Sequence, residues 1–177
     1  MNRFFGLPLA TALALATLAG NSASAAETSV ASQAMQCYTM YTLMLEDNPA
    51  DDFRNRVLGS QAMLMGTIYV MNAGTELKPV SNDQFQQATS IAESALLTTA
   101  QTDRQAFVDK LINCEGWREE LLTHMALGLE EVPKDMNSQV VQEVMRSIPK
   151  PKSSYPLKGA TLQEIEMVVN EALARRM

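Results

Sequence analysis

The sequence predicts an all-α protein, a four-helix up-down bundle followed by one or two additional C-terminal helices. In four successive segments, apolar residues recur at the spacing of one helix face, and short turns separate these segments. Residue patterns typical of helix N-termini recur between them. Sustained alternation of apolar and polar residues, and hairpin dipeptides such as Asn-Gly, would indicate strands, and the sequence has neither.

The first 25 residues are typical of a secretory signal peptide. A short positive start ending at Arg3 precedes an uncharged segment, rich in Leu and Ala, from Phe4 to Leu18. The tripeptide Ala23-Ser24-Ala25 then supplies the small-x-small pattern that signal peptidase reads, so we expect cleavage after Ala25. The pattern predicts export, and the Ala-rich composition favours the bacterial periplasm as the location of the mature protein.

Beyond the signal peptide at 1–25, we expect one helical bundle domain over 26–148, because this length can bury a hydrophobic core. A run rich in Pro and Lys at 149–157 predicts a stiff, extended linker. It leads to a C-terminal amphipathic helix within 158–177.

The first helix is predicted from Val30 to Glu46. At about 100° per residue, six of its residues fall within about 100° of one another, which predicts an inward stripe that contains Cys37. The residues of this stripe are Val30, Ala34, Cys37, Tyr41, Met44 and Leu45.

The second helix is predicted from Pro49 to Asn72, with Asn48 as its N-cap and proline in its first turn. The range Val57–Thr75 carries no charge, and its length approaches that of a membrane span. Its polar side chains and glycines favour a buried core helix instead, so we expect no stable membrane insertion after signal cleavage. The expected core positions are Phe53, Val57, Leu64, Ile68 and Met71.

The third and fourth helices are predicted over 82–100 and 103–127. Capping-box spacing marks their starts and the start of the last helix. The three pairs are Ser81 with Gln84, Thr102 with Gln105, and Thr161 with Glu164. The expected core positions are Phe85, Ala88, Ile91, Ala92, Ala95 and Leu96 on the third helix and Phe107, Leu111, Cys114, Leu121, Leu122 and Met125 on the fourth.

Two shorter helices are predicted over 136–147 and 162–175. A short helix is marginal in water unless its apolar face packs against something. These two faces therefore dock on the bundle, pair with each other, or contact a partner protein. The residues predicted as possible partner contacts are Val140, Val144, Ile165 and Val169.

Cys37 and Cys114 are the only cysteines, and both lie on core-facing stripes of helices that neighbour each other in an up-down bundle. Because the mature protein is expected in an oxidising compartment, we predict a structural disulfide between them. A redox-active pair typically has Cys-x-x-Cys spacing with a thiolate at a helix N-terminus, and neither cysteine is placed in that way.

His124 is the single histidine, and we expect it at the edge of the fourth helix's buried face, beside Trp117. Met35 and His124 could hold a b-type haem in a four-helix bundle. Their places on the predicted helices oppose this, because Met35 points away from the inward stripe. Copper(I) is a further alternative, since Met40 and Met44 lie one helical turn apart and thioethers suit that ion. The sequence favours packing for the methionines and predicts no cofactor or metal.

The mature chain is acidic, because loss of Arg3 leaves 13 basic against 20 acidic residues. It has no cluster of basic residues, so we expect no nucleic-acid partner. The acidic groups around Glu115, Glu119 and Glu120 and at Glu130 and Glu131 are interpreted as solvated faces.

The sequence has no recognisable catalytic motif, and it favours an exported protein that acts by binding another protein. An inhibitor, immunity factor, chaperone or assembly accessory would fit. The alternatives are a periplasmic haem or copper(I) binder and, third, an enzyme with an unrecognised site.

Overall fold

The computed structural model describes residues 29–45, 53–75, 77–128, 139–156 and 161–176. Within these ranges it contains six helices and no strand, so the all-α prediction is confirmed for them. The signal peptide and the Asn48-Pro49 helix start lie outside the described residues. The helices are α1 (Val30–Met44), α2 (Phe53–Ala73), α3 (Asn82–Thr102), α4 (Arg104–Gly128), α5 (Gln139–Arg146) and α6 (Thr161–Arg176).

Helix α1 lies at the centre of the fold. It packs most extensively against α2, and it also contacts α3, α4 and α6. The predicted inward stripe is confirmed, since Ala34, Cys37, Tyr41 and Met44 are buried and Val30 and Leu45 are half-buried. Neighbouring helices also cover other sides of α1 and bury most of its length. The residues buried outside the predicted stripe are Gln33, Met35, Thr39, Met40 and Leu43.

Polar side chains on this central helix are accommodated by local hydrogen bonds. The Thr39 hydroxyl donates to the Met35 carbonyl oxygen at 2.9 Å, so a buried threonine satisfies its donor within its own helix. The helix begins at Ser29, whose side chain accepts the backbone N–H of Ser32 at 3.1 Å.

Of the capping boxes predicted at the starts of α3 and α4, the structure confirms the first and not the second. At the start of α3 the predicted box is confirmed, since Ser81 Oγ accepts from the Gln84 N–H and Gln84 Oε1 accepts from the Ser81 N–H. At the start of α4 the prediction of Thr102 was wrong. Helix α3 continues through Thr102, and Asp103 accepts the Ala106 N–H instead. The aspartate holds the single non-helical position between the two helices, so it takes the capping role.

The buried faces of α2, α3 and α4 differ from the predicted ones at four apolar positions. Val57 is 37% exposed, Ile91 63% and Leu122 45%, and Ala95 is exposed as well. On α2 the neighbouring Leu58 and Met65 are buried instead. On α4 the predicted face is otherwise confirmed, since Phe107, Leu111, Cys114 and Leu121 are buried. None of the described helices combines the length and the apolar character that a membrane crossing requires.

Helices α5 and α6 both dock on the helices that precede them. Helix α5 contacts α2 and α4, and α6 contacts α1 and α4. Val169 is fully buried, and Ile165 is 8% exposed. An ion pair between Arg54 and Glu171, 2.9 Å apart, joins α6 to α2 at the surface.

Candidate interaction surface

The predicted disulfide is present between Cys37 on α1 and Cys114 on α4, with their Cα atoms 5.4 Å apart. Both cysteines are fully buried. The Gln33 amide lies over the bridge and donates to the sulfur of Cys37 at 3.3 Å and towards that of Cys114 at 3.7 Å. The bridge is therefore a core element that fastens the central helix to α4.

Residues 149–156, which we call the strap, form neither a helix nor a strand and lie against α4. The Trp117 indole Nε1 donates to the Pro149 carbonyl oxygen at 3.0 Å, and the Tyr155 backbone N–H donates to Asn113 Oδ1 at 3.0 Å. A Cβ atom at Gly116 would overlap the Tyr155 side chain. Glycine at this position therefore lets the strap approach the helix backbone closely.

A charged pair holds the middle of the strap. Lys152 Nζ lies 2.8 Å from Glu120 Oε1, and the Tyr155 hydroxyl donates to Glu120 Oε2 at 2.8 Å. The hydrogen bond from Lys152, together with that from Tyr155, lowers the pKa of Glu120. Burial, with a further contribution from Glu120, raises the pKa of Tyr155 to about 12, so its hydroxyl remains a donor at neutral pH.

We expect the strap to loosen in acid. A carboxyl whose pKa is lower in the folded state contributes stability above its unfolded value of about 4.3 and loses it as the pH falls through the folded value. Because the pKa of Glu120 is lowered, its protonation in acid should weaken the strap and shift the emission of Trp117, the only tryptophan. A pH titration of fluorescence measures this. The change in fluorescence on acidification should persist in Glu119→Gln and vanish in Glu120→Gln. An unchanged fluorescence response in Glu120→Gln would contradict the assignment of this response to Glu120.

Trp117 is not at a boundary, as the sequence predicted, but fully buried. The strap covers it, which periodicity within α4 could not indicate. His124 is partly exposed at the end of α4, and its Nε2 lies 3.3 Å from the Ser147 hydroxyl. The strap and α4 form a groove that His124 lines together with Glu119 and Glu120.

The structure does not bring Met35 and His124 together. The Met35 sulfur lies 3.7 Å from the Thr39 hydroxyl and 3.6 Å from that of Thr89, on the side of α1 that faces α3. His124 instead lies by Ser147, beyond the end of α5. The two residues considered above as haem ligands therefore lie in different parts of the fold, Met35 beside α3 and His124 beside Ser147.

The methionines considered for copper(I) are core residues. Met40 is fully buried and Met44 is 3% exposed, and both belong to the continuous apolar core. Met63 and Met65 point in opposite directions, since Met63 is 73% exposed and Met65 is fully buried. Packing accounts for Met40, Met44 and Met65.

The acidic residues of α4 are not uniformly solvated. Arg118 donates from Nε and Nη2 to Glu115 Oε2, at 3.0 and 2.9 Å, across one helical turn. Burial raises the pKa of Tyr41 well above its ordinary value, and the nearby Glu115 carboxylate raises it further. Glu130 and Glu131 lie outside the described residues.

Helix α5 lies across the C-terminal ends of α2 and α4. Asn72 Nδ2 approaches the Met145 carbonyl oxygen at 3.5 Å, and the His124–Ser147 contact places the other side of α5 against α4. Between α2, the turn that follows it and α5 lies an open groove of about 690 Å³, which we call the α5 groove. It is lined by Val70, Met71, Gly74, Thr75, Leu77, Pro79, Gln142 and Arg146.

Large apolar side chains remain exposed at this end of the fold. Leu77 is 94% exposed and Val70 38% exposed, and both line the α5 groove. Val140 on α5 is 57% exposed, and Leu127, which lines the groove between the strap and α4, is 83% exposed. Single exposed apolar residues are ordinary, whereas several around one groove are typical of an interaction surface. The α5 groove, together with Val140 on the helix that forms one of its walls, is the candidate interaction surface.

Of the four predicted partner contacts, only Val140 lies on this surface. Val144 is 9% exposed, and Ile165 and Val169 are covered by the chain itself. The prediction missed Val70 and Leu77. Leu77 lies in a turn between Gly74 and Pro79, where no helix face is available to bury an apolar side chain. An apolar residue in such a turn was the one sequence signal that could have identified it.

Comparison of the chain with protein-family models, with curated proteins and with solved structures gave no match.

Proposed function

We propose that this protein is exported and acts by binding another protein through the α5 groove. The supporting observation is that two exposed apolar side chains, Val70 and Leu77, line a groove at one end of a helical fold, with the exposed Val140 on the adjoining helix α5. The helices that form the walls of the groove pack on a core that the disulfide between α1 and α4 stabilises. An inhibitor, immunity, chaperone or assembly-accessory role fits this arrangement.

The lining of the groove indicates the kind of contact that a partner makes. Val70, Met71 and Leu77 provide apolar walls, and methionine adapts readily to the shape of an inserted side chain. Gln142 and Arg146 lie one helical turn apart on α5 and provide polar groups at the edge. A partner that inserts an apolar anchor between these walls would fit the groove.

For the architecture, we infer that α1 to α4 run alternately up and down. The single residue between α3 and α4 supports this arrangement, and so does the bridge that joins α1 to α4. It places the C-terminal ends of α2 and α4 at the same end, where α5 crosses both.

Site-specific photocrosslinking in the periplasm of the native host tests the proposed function. A photoreactive residue at Leu77 should give one discrete crosslinked product with a different polypeptide, because this side chain projects beside the groove. The same residue at Met63 serves as the control, since Met63 is similarly exposed on α2 but does not line the groove.

A Leu77→Asp variant should abolish capture of that polypeptide, whereas Met63→Asp should retain it. Neither change removes a buried contact, so both variants should unfold at the wild-type temperature. No specific product at Leu77, or equal capture by the two aspartate variants, would contradict the proposal.

A further inference from the structure

Helix α5 forms one wall of the α5 groove, yet it is too short to be stable without support. It has eight residues, from Gln139 to Arg146, and an isolated helix of this length does not persist in water. Its buried side consists of Val141, Val144 and Met145. The groove therefore exists only while α5 is held in its place.

The chain is fastened to α4 directly after α5 ends. The Ser147 hydroxyl lies 3.3 Å from His124 Nε2. Trp117 Nε1 donates to the Pro149 carbonyl oxygen at 3.0 Å. Only Ser147 and Ile148 separate α5 from Pro149, where the strap begins. A strap that is docked on α4 thus fixes the position of the end of α5.

The strap itself is attached at the surface of the fold. None of its eight residues is buried, and the Lys152 side chain is 62% exposed. Tyr155 lies over Gly116, and its backbone N–H donates to Asn113. Glu120 accepts from both Lys152 and Tyr155. The strap can therefore leave α4 while the disulfide keeps α1 and α4 together.

We propose that the strap is a clamp that controls the α5 groove. Docked on α4, the strap holds α5 against α2 and α4, and its release frees α5 and removes that wall of the groove. The control of partner binding rests on the proposed function, whereas the coupling between the strap and α5 does not. The loosening of the strap expected in acid would open the same clamp through Glu120. Lys152 and Tyr155 face this carboxylate from the strap, and Glu119 and His124 line the same groove on α4.

Hydrogen exchange measured by mass spectrometry on the disulfide-bonded mature chain at neutral pH tests the coupling. Gly116→Ala places a Cβ atom where Tyr155 lies and should displace the strap, while alanine itself favours the α4 helix. Exchange in 139–148 should then rise on the order of 10-fold through local opening of α5, and exchange in α1 and α3 should keep its wild-type rate. Gly59→Ala is the matched control, because a Cβ atom there meets nothing within 4 Å, and it should change none of these rates.

Tyr155→Ala releases the strap from its own side and leaves the sequence of α4 unaltered. It should produce the same selective rise in exchange over 139–148. The emission of Trp117 shows in each variant whether the strap has left, since the strap covers this side chain. An emission shift without faster exchange in 139–148 would overturn the proposal, and so would an equal acceleration in α1, which indicates global destabilisation. Unchanged emission in both variants would overturn it as well, because the strap would then not be releasable at these contacts.

Photocrosslinking from Leu77 tests the control of the groove. The crosslinked product should persist in Gly59→Ala and be lost in Gly116→Ala. A product that persists in Gly116→Ala despite faster exchange in 139–148 would show that the strap does not control the groove. Failure of the proposed function gives a different result, the absence of a product in the wild-type background, and it leaves the exchange measurements unaffected.

Discussion

Replacing Cys37 and Cys114 together by alanine is expected to lower the free energy of unfolding by about 4–5 kcal/mol, the largest effect of any change considered. The two cysteines are 77 residues apart in sequence, so the bridge closes a long loop in the unfolded chain. In the chain-entropy model, removing a crosslink of this span raises the conformational entropy of the unfolded chain and so lowers its free energy by about 4–5 kcal/mol. The bridge also fastens α1, which contacts four other helices, so its loss should not be confined to one end of the fold.

Urea unfolding of the oxidised mature protein, the same protein with reductant, and the double variant measures this effect. Reductant should lower the wild-type midpoint towards that of the double variant and leave the variant itself unchanged. The denaturant dependence should become steeper without the bridge, because the unfolded chain then exposes more surface. A wild-type midpoint that is insensitive to reductant, with both thiols demonstrably free, would show that the bridge contributes little.

Local sequence signals predicted the helices well, and the reason is physical. Ser81 and Gln84 satisfy each other's backbone groups within one turn, so this helix start depends on nothing distant. The central position of α1 depends on distant residues. Met35 and Leu43 are buried because other helices cover the side of α1 opposite the predicted stripe. The spacing of apolar residues within α1 does not predict the positions of those helices.

The candidate surface was predictable only in part for the same reason. Val140 could be singled out because an apolar residue at the edge of a short helix needs cover. The exposure of Leu77 depends on how a turn sits between α2 and α5, and that of Ile91 on the rotation of α3 against α1. Both are consequences of packing between segments far apart in sequence, where a rotation by one residue exchanges a buried position for an exposed one.

The strap illustrates the same dependence in a segment without secondary structure. Its composition predicted an extended conformation, since the closely spaced Pro149, Pro151 and Pro156 disfavour a helix at this point. Its attachment to α4 depends on pairs separated by 32 to 42 residues, such as Trp117 with Pro149 and Asn113 with Tyr155. Gly116 of α4 permits this attachment because it leaves room for Tyr155. In the sequence alone it appears only as a glycine that destabilises the interior of a helix.

Trp117→Ala is expected to lower the free energy of unfolding by about 3–5 kcal/mol, because it removes the largest fully buried side chain and leaves a cavity under the strap. Trp117→Phe is the matched control. It keeps most of the apolar volume but removes the Nε1 donor to the Pro149 carbonyl, so a loss of about 1–3 kcal/mol is expected. Urea unfolding followed by far-ultraviolet circular dichroism measures both variants without relying on tryptophan fluorescence.

The same variants show whether the strap docks as one unit. Tyr155→Phe removes the hydroxyl that bonds Glu120 at the other end of the strap. If Trp117 and Tyr155 hold a single cooperative segment, the loss of stability in the double variant Trp117→Phe/Tyr155→Phe should be smaller than the sum of the two single losses, since detachment at one end already releases the other. Strict additivity would mean that the two ends attach independently. In that case protonation of Glu120 should free Lys152 and Tyr155 without moving Pro149, and the emission of Trp117 should not respond to acid.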